Sequence, residues 1–424
     1  MLRIKAYPSM VDGAVKAPPS KSHTHRALFS SLLARGRSLV VNALISGDTK
    51  ATLTAVKKLG AEVRVTGSDV EVSSPPTLWW PKSIYCRGSA TTLRIAMAIS
   101  SLAPGVTLLY GDPTLNRRPV KPLADALERL GARVITTDGK PPVAVSGVSQ
   151  SCCRGEAVSV DASQSSQYVT ALLMIAPLLG IGVKPLNLAS RPYVDVTRRV
   201  LEGFGVKVSW DSEGRLWVEG SFRPSKYKVP GDYSSSSFLM VAGAIGGRVR
   251  VWGLDLDDPQ GDKLIIEILK MAGAKVRVSS SGGWVEVEAG KLEPFEANLE
   301  DTPDLAPPVA VLASYARGES VLRGIGRLAL KESDRRKAIA SNLFRIGVDA
   351  SISCGGDCIK IRGGKVEGGR VSGYGDHRII MAFLVAGLGS RKGVEVVGAS
   401  RYKDSYPGFV EDLQSLGARL EVVG

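Results

Sequence analysis

The stretch AVKKLGAEVRV, residues 55–65, decides the fold. Ala55, Val56 and Leu59 share one face at helical spacing while Lys57 and Lys58 take the other. From Glu62 onward apolar and charged residues alternate, the period of a half-buried strand. Gly60 stands between the two patterns, where a left-handed residue lets a helix end and the chain turn into a strand. The phrase returns as ALERLGARVIT, VLEGFGVKVSW, ILKMAGAKVRV, NLFRIGVDASI and DLQSLGARLEV. Its glycines are Gly60, Gly131, Gly205, Gly273, Gly347 and Gly417, with spacings of 71, 74, 68, 74 and 70 residues. Solenoid repeats run about 20 to 50 residues, so six units of this length read as copies of a small helix-and-strand subdomain.

A proline-rich polar stretch, FRPSKYKVPGD at 222–232, separates the third copy from the fourth, and Pro18-Pro19 makes a matching break. If both are hinges, the N-terminal strand LRIKAYPS belongs with the C-terminal half. The expected division is then residues 1–18 plus 230–424 in one lobe and 19–229 in the other, three units each, with two crossings. A cleft between such lobes is the expected place for ligands and for closure on them.

The composition fits an ordinary globular protein: 424 residues, 44% hydrophobic and 6% aromatic, enough for a large core. No apolar run reaches the roughly 18 residues that span a bilayer, and MLRIKAYPSM lacks the apolar core of a signal peptide, so the expected location is cytoplasmic. The five cysteines (Cys86, Cys152, Cys153, Cys354, Cys358) form neither a CxxC nor a Cys/His cluster, which argues against zinc. Cys354 and Cys358 have the spacing to pair across CGGDC, although idle thiols are the expectation for a cytoplasmic chain. The net charge of +14 raises the alternative of a basic nucleic-acid-binding protein. Against it, no basic run exceeds the pairs Arg117-Arg118, Arg198-Arg199 and Arg335-Arg336, and no aromatics interleave.

The polar clusters lie at helix starts. In APPSKSHTHRALFS, residues 17–30, the prolines hold an extended entry, Ser20 or Ser22 caps a helix, and Lys21 and Arg26 surround its free N–H groups. Such an end favours an anion. RGSATTLR, NRRPVKPLADAL, DASQSSQYVTALL, LKESDRRKAIA and GYGDHRIIMAFL repeat the arrangement. LKESDRRKAIA is read as placing Lys331, Glu332, Asp334 and Arg335 in one turn. Each cluster alone is an ordinary cap; five with the same bias point to several anion contacts. The acid and base candidates are Lys21, Glu332, Asp304 and His377. His23 and His25 form an HxH, but residues two apart on a helix do not face the same way, which argues against a metal.

In order and over the whole chain, PPSKSHTHRAL, SATTLR, NRRPVKPL, SQSSQYVTALLMIAPL, RPYVDVT, GDYSSSSFLM, PQGD, TPDLAPPVAVLA, LKESDRRKAIASNL, GDHRIIMAFLVAG and SYPGFVEDL resemble the 5-enolpyruvylshikimate-3-phosphate synthase family. The resemblance implies an α/β fold of two lobes, each built from three βαβαββ units, with the active site in the interlobe cleft. It implies transfer of the enolpyruvyl group of phosphoenolpyruvate to the 5-hydroxyl of shikimate 3-phosphate, without metal or organic cofactor, on the pathway to chorismate and aromatic amino acids. The implied partners are those two small molecules, not nucleic acid or membrane, and the expected state is a monomer.

By the same resemblance Lys21 touches both substrates, while Ser22 and Arg26 hold shikimate 3-phosphate. Ser165, Ser166 and Ser190 grip its phosphate, Tyr193 frames that pocket, and Gln167 bridges the two substrates. Arg118, Arg335 and Arg378 bind phosphoenolpyruvate, where forked guanidinium groups suit carboxylate and phosphate. Asp304 is the implied base, Glu332 with Lys21 the implied acid, and Lys331 orients shikimate 3-phosphate. Three positions depart from the family pattern. Ala90 replaces a usual glycine and narrows the phosphoenolpyruvate pocket, Arg327 replaces a frequent asparagine, and the C-terminal lysine aligns ambiguously between Asp404 and Lys403, of which Lys403 is the candidate contact. The enzyme alternative of the same fold, a transferase acting on UDP-N-acetylglucosamine, carries a reactive loop cysteine; Cys86 does not lie in that loop, and SQSSQ suits a sugar phosphate.

Overall fold

The computed structural model describes residues 1–147 and 154–424; Cys152 and Cys153 lie outside the described residues. Six of its helices run α1 Lys21–Leu33, α2 Gly47–Lys58, α3 Ala90–Ser100, α4 Lys121–Arg129, α5 Gln167–Leu179 and α6 Pro192–Gly203. The others are α7 Tyr233–Gly246, α8 Leu264–Met271, α9 Ala306–Tyr315, α10 Arg335–Arg345, α11 His377–Gly389 and α12 Phe409–Ser415. The even-numbered helices carry the six repeated phrases. Each ends two residues before its glycine, and Gly60, Gly131, Gly205, Gly273, Gly347 and Gly417 have φ between 83° and 109°. The strand follows directly in each case, as in Glu62–Thr66, Arg133–Thr137 and Asp349–Ser353.

Among the described residues the strands form six four-stranded sheets. Every sheet has one parallel pair followed by two antiparallel pairs, as in Lys226–Lys228 beside Gly36–Val41, then Asp69–Ser74, then Glu62–Thr66. Parallel neighbours need a crossover, which α3, α5, α9 and α11 supply in four of the sheets, and five sheets close one antiparallel pair through a hairpin, as between Glu62–Thr66 and Asp69–Ser74. The units are βαβαββ, six in all. The N-terminal strand is shorter than LRIKAYPS: Arg3–Ala6 pairs with Val394–Val397 and Leu420–Val423, and a second strand, Val11–Lys16, runs parallel to Gly247–Trp252.

The chain divides into one compact unit of Met1–Pro18 with Pro230–Gly424 and another of Pro19–Val229. Each has its own apolar core. The first centres on α7, α9 and α11, the second on α1, α3 and α5, helices that are buried on nearly every face. A helix with no solvent face reads as continuously apolar or small, which is why α5 and α11 lack the charged stripe of the even-numbered helices. The charged residues and histidines of these core helices fall only in their first two turns.

Candidate active site

In the unit 19–229 the donors gather at the starts of α1, α3, α5 and α6. Ser20, with extended φ, caps α1 by accepting from the His23 N–H at 3.5 Å. Lys21 is the first helical residue, and its Nζ lies 2.8 Å from Asp48 Oδ2 at the start of α2. Arg26, one turn on, is buried. Its Nε donates to Thr197 Oγ1 at 2.8 Å, Nη1 to the Ser22 carbonyl at 2.9 Å, and Nη2 to Thr170 Oγ1 and the Tyr193 carbonyl at 3.1 and 3.2 Å. None of these partners is a carboxylate, and burial pushes the guanidinium down only to about 10, so it stays charged at neutral pH. Arg26 thus spends its donors on protein and fixes Ser22 and Tyr193, while its positive charge is left for an anion to balance.

Arg94, which the sequence reading did not select, performs a similar service. From α3 its Nη1 donates to Ser165 Oγ at 3.1 Å and Gln167 Oε1 at 2.7 Å, and its Nη2 donates to the Pro119 carbonyl at 2.8 Å. The guanidinium also covers the Tyr168 ring, 4.8 Å from its centroid. This one side chain ties Ser165 and Gln167 at the start of α5 to the carbonyl of Pro119, the chain neighbour of the buried Arg118. The signal was available, since Arg94 closes the motif SATTLR, but its partners are 71 and 73 residues away. Ser190 is buried and left-handed at φ 56°, an uncommon conformation for serine that the loop before α6 enforces. Ala90 is the first residue of α3 and is buried behind the Ser89 cap.

His25 links three of these helix starts. Its Nδ1 lies 2.6 Å from Thr52 Oγ1 on α2, which lies 2.7 Å from Thr92 Oγ1 on α3, and Thr92 donates to Ser89 Oγ at 2.9 Å. Burial first, then the charges of Lys21 and Arg26, hold the imidazole well below its usual pKa. The folded chain therefore refuses a proton that the unfolded chain accepts below about pH 6.5, and stability falls with acid by about 1.4 kcal/mol per pH unit for this group. His25→Gln is expected to remove that slope from the pH dependence of the denaturant midpoint between pH 6.5 and 5; an unchanged slope would show that His25 titrates normally.

The other unit gathers carboxylates and cations around the buried Arg335. Its Nε donates to Asp376 Oδ2 at 2.8 Å, Nη1 to Asp304 Oδ1 at 2.8 Å, and Nη2 to Glu332 Oε2 at 2.7 Å. Burial alone would lower this guanidinium, yet Asp376, Glu332 and Asp304 together raise it. Arg378 Nη2 meets Asp304 Oδ2 at 3.0 Å, and Lys331 Nζ lies 3.3 Å from Asp304 Oδ1. Asp376 caps α11, accepting from the Arg378 N–H at 3.0 Å, and is fully buried. Asp304 and Glu332 keep about a fifth of their surface exposed, so they form the accessible part of the cluster. Lys331, Glu332 and Asp334 do not share a helical turn with Arg335. The helix begins at Arg335, and the preceding residues form bends, because the capping position falls at Asp334. Across the bend Glu332 pairs with Arg335, while Lys331 lies against Asp304 and Asp334 pairs with Arg336.

Asp262, from the PQGD motif, is buried against Ser234. Burial first and then the charge of Asp304 push its carboxyl up to about 6, with Arg378 acting in the opposite sense. His377 follows the cap and is buried behind the cluster. Arg327 donates to the Glu300 carbonyl, and burial lowers it. Lys403 is not brought to this cluster: it is exposed on a short 3-10 turn, its Nζ 5.6 Å over the Tyr402 ring, while Asp404 pairs with Arg401 at 3.5 Å. Among the described residues no group of three or more His, Cys, Asp or Glu side chains is placed to hold a metal ion, and no helix is long and apolar enough to cross a membrane.

Two kinds of chemistry are therefore on hand: a cradle with an excess of fixed positive charge, and a cluster in which three cations are matched by three carboxylates. Residues 6–413 match the family model of EPSP synthase (3-phosphoshikimate 1-carboxyvinyltransferase). The chain belongs to the EPSP synthase family. A 3-phosphoshikimate 1-carboxyvinyltransferase of Aeropyrum pernix is 52% identical over 423 residues, covering 99% of this chain and 97% of the relative. That of Pyrococcus abyssi is 45% identical, covering 95% of each. The solved structure of EPSP synthase from Acinetobacter baumannii superposes with a TM-score of 0.82 at 26% identity, covering all of both chains. The EPSP synthase fold is thus shared over the full length, with the two-lobed arrangement of βαβαββ units. Within it Asp48, Arg94, Thr170, Thr197, Asp262 and Asp376 hold the selected residues in place, through partners that lie far along the chain.

Proposed function

We propose that this EPSP synthase family member transfers the enolpyruvyl group of phosphoenolpyruvate to the 5-hydroxyl of shikimate 3-phosphate and releases phosphate, without a cofactor. The observation that carries the reading is the cluster of Asp304 and Glu332, two partly exposed carboxylates held on one buried guanidinium. The cradle of Lys21, Ser22, Arg26, Ser165, Ser166, Gln167, Ser190 and Tyr193 serves shikimate 3-phosphate, and Arg118, Arg335 and Arg378 serve phosphoenolpyruvate. Lys21 also offsets charge on the second substrate. Fixed donors remove the need for solvent to reorganise as charge moves.

Arriving phosphate and carboxylate groups compete for the Nη donors of Arg335 and Arg378 that Asp304 and Glu332 now occupy. Substrate binding thereby frees both carboxylates for proton transfer, while Asp376 keeps Arg335 in position. Asp304 takes the proton of the 5-hydroxyl as its oxygen bonds to the C2 carbon of phosphoenolpyruvate, and Glu332 delivers a proton to the methylene carbon. Loss of a proton from the resulting methyl group then re-forms the double bond as the C–O bond to phosphate breaks. Lys331 orients the acceptor beside Asp304. The opposite roles need a proton-bearing Glu332 and an ionised Asp304 at the moment of transfer. Lys403 is left as a phosphoenolpyruvate contact that needs a change in the turn Ala399–Asp404.

The test is phosphate release by the purified protein with each substrate omitted in turn and the product identified by mass. Release that requires both, with the enolpyruvyl adduct formed, supports the assignment; turnover only with UDP-N-acetylglucosamine overturns it. In the same assay the methyl group of Ala90 should crowd glyphosate, whose backbone is longer than that of phosphoenolpyruvate. Half-inhibition is expected to need at least about tenfold more glyphosate than for the Ala90→Gly variant, in keeping with an overpacking cost of about 1–3 kcal/mol. Equal sensitivity of the two proteins would place Ala90 outside that pocket.

A further inference from the structure

Cys354 and Cys358 stand at the two ends of a tight turn that joins the strands Asp349–Ser353 and Cys358–Gly363. Cys354 is exposed and left-handed at φ 52°, whereas Cys358 is buried. The turn closes with the Asp357 N–H donating to the Cys354 carbonyl at 3.2 Å, and Cys358 pairs with Ser353, the neighbour of Cys354, in the strand register, so the two cysteines flank one turn. Arg323 Nη1 approaches Cys358 Sγ at 3.6 Å. The nearness of Cys358 first, then of Ser353, lowers the exposed thiol, while the buried one is raised. An exposed nucleophilic thiol beside a buried second thiol is the arrangement that disulfide exchange requires.

This turn also braces the stretch that carries Lys331, Glu332 and Arg335. Asp357 Oδ1 accepts from the Gly326 N–H at 2.8 Å, and the Asp357 carbonyl accepts from the Ile325 N–H at 3.1 Å. The Gly356 carbonyl accepts from Arg336 Nη1 at 3.1 Å, and Arg336 in turn forks onto Asp334, 3.0 Å to each oxygen. Both ends of residues 325–336 therefore hang on two consecutive residues of the turn, Gly356 and Asp357.

We propose that Cys354 and Cys358 are a dithiol modified by low-molecular-weight disulfides, and that the bond they form loosens the brace on the stretch carrying Glu332. The Cys354 thiolate attacks one sulfur of the small disulfide; that S–S bond breaks, a mixed disulfide forms, and one small thiolate leaves and takes up a proton. Cys358 then gives up its proton and attacks the Cys354 sulfur, expelling the second small thiol. The protein loses two electrons and two protons, and the small disulfide gains them. A covalent bond across the turn changes the path of Gly356 and Asp357, whose carbonyls and carboxylate carry the brace. The functional part of this proposal rests on the reading of Glu332 and Arg335 given above; the chemical part does not.

The experiment incubates the full chain with oxidised glutathione, maps cysteine peptides by mass spectrometry, and measures phosphate release before and after adding dithiothreitol. A cross-link between Cys354 and Cys358, with the one peptide that carries both lighter by two hydrogens, is expected in the wild type. Cys358→Ser should stop at the glutathione adduct on Cys354, and Cys354→Ser should not react in this turn. Turnover of the oxidised wild type is expected to drop at least about threefold, as small displacements of a catalytic loop do, and to return with dithiothreitol, while the double serine variant shows no such drop. Failure of the cross-link to form overturns the proposal, as does a cross-linked protein with full turnover. If the reduced protein is inert, the assignment of the reaction fails while the peptide map still decides the dithiol.

Discussion

Glu332→Gln is expected to lower kcat by about two to four orders of magnitude with little change in KM for either substrate, the range that general acid–base catalysis supplies. The amide keeps the oxygen that accepts from Arg335 Nη2 at 2.7 Å, so the side chain stays in place. It cannot deliver a proton to a carbon and recover it. Steady-state phosphate release over a range of both substrates separates the two effects. A kcat within threefold of wild type would remove Glu332 from the mechanism, and a rise in KM alone would make it a binding group.

The second large effect concerns stability. Asp376→Ala is expected to destabilise the unit containing it by at least about 3 kcal/mol, because removing one partner of a buried pair leaves an uncompensated charge. Asp376 is fully buried and accepts from Arg335 Nε, from the Ser333 hydroxyl at 3.1 Å and from the Arg378 N–H. Loss of that last bond also uncaps α11, a further cost of about 1 kcal/mol. Asp304 and Glu332 still face Arg335, which limits the loss. The change should appear as a lower denaturant midpoint with an unchanged slope, together with weaker phosphoenolpyruvate binding because Arg335 loses its anchor. An unmoved midpoint would mean that Arg335 is adequately balanced by Asp304 and Glu332 alone.

How legible the protein was differs from element to element. The six helix-glycine-strand phrases could be read because each depends on neighbours within eleven residues, and the left-handed glycine is a local requirement of the backbone. The caps at Ser20, Ser89 and Asp376 were legible for the same reason. The buried helices α5 and α11 were recognisable as apolar, but their partners were not, since a helix that is apolar all round gives no direction to its neighbours. Where α10 begins was misjudged: a run of charged residues that looked like one helical turn is a bend held by side-chain bonds to Asp376 and Asp304.

The candidate site divides in the same way. Lys21, Ser165, Arg335 and Arg378 are reachable from motifs at helix starts, where free N–H groups and basic side chains occur together. The character of the surroundings is not. Arg26 carries the same charge in the sequence as any exposed arginine, yet packing surrounds it with hydroxyls and carbonyls and no carboxylate. Arg335 receives three carboxylates from positions 3, 31 and 41 residues away. By itself the sequence determined the repeating units, their helix starts and the residue types that chemistry needs, because these follow from local backbone geometry and periodicity. Only the tertiary structure decided which cations keep a surplus of charge and which are neutralised, because Coulomb energy and desolvation depend on distances between residues that the chain places far apart.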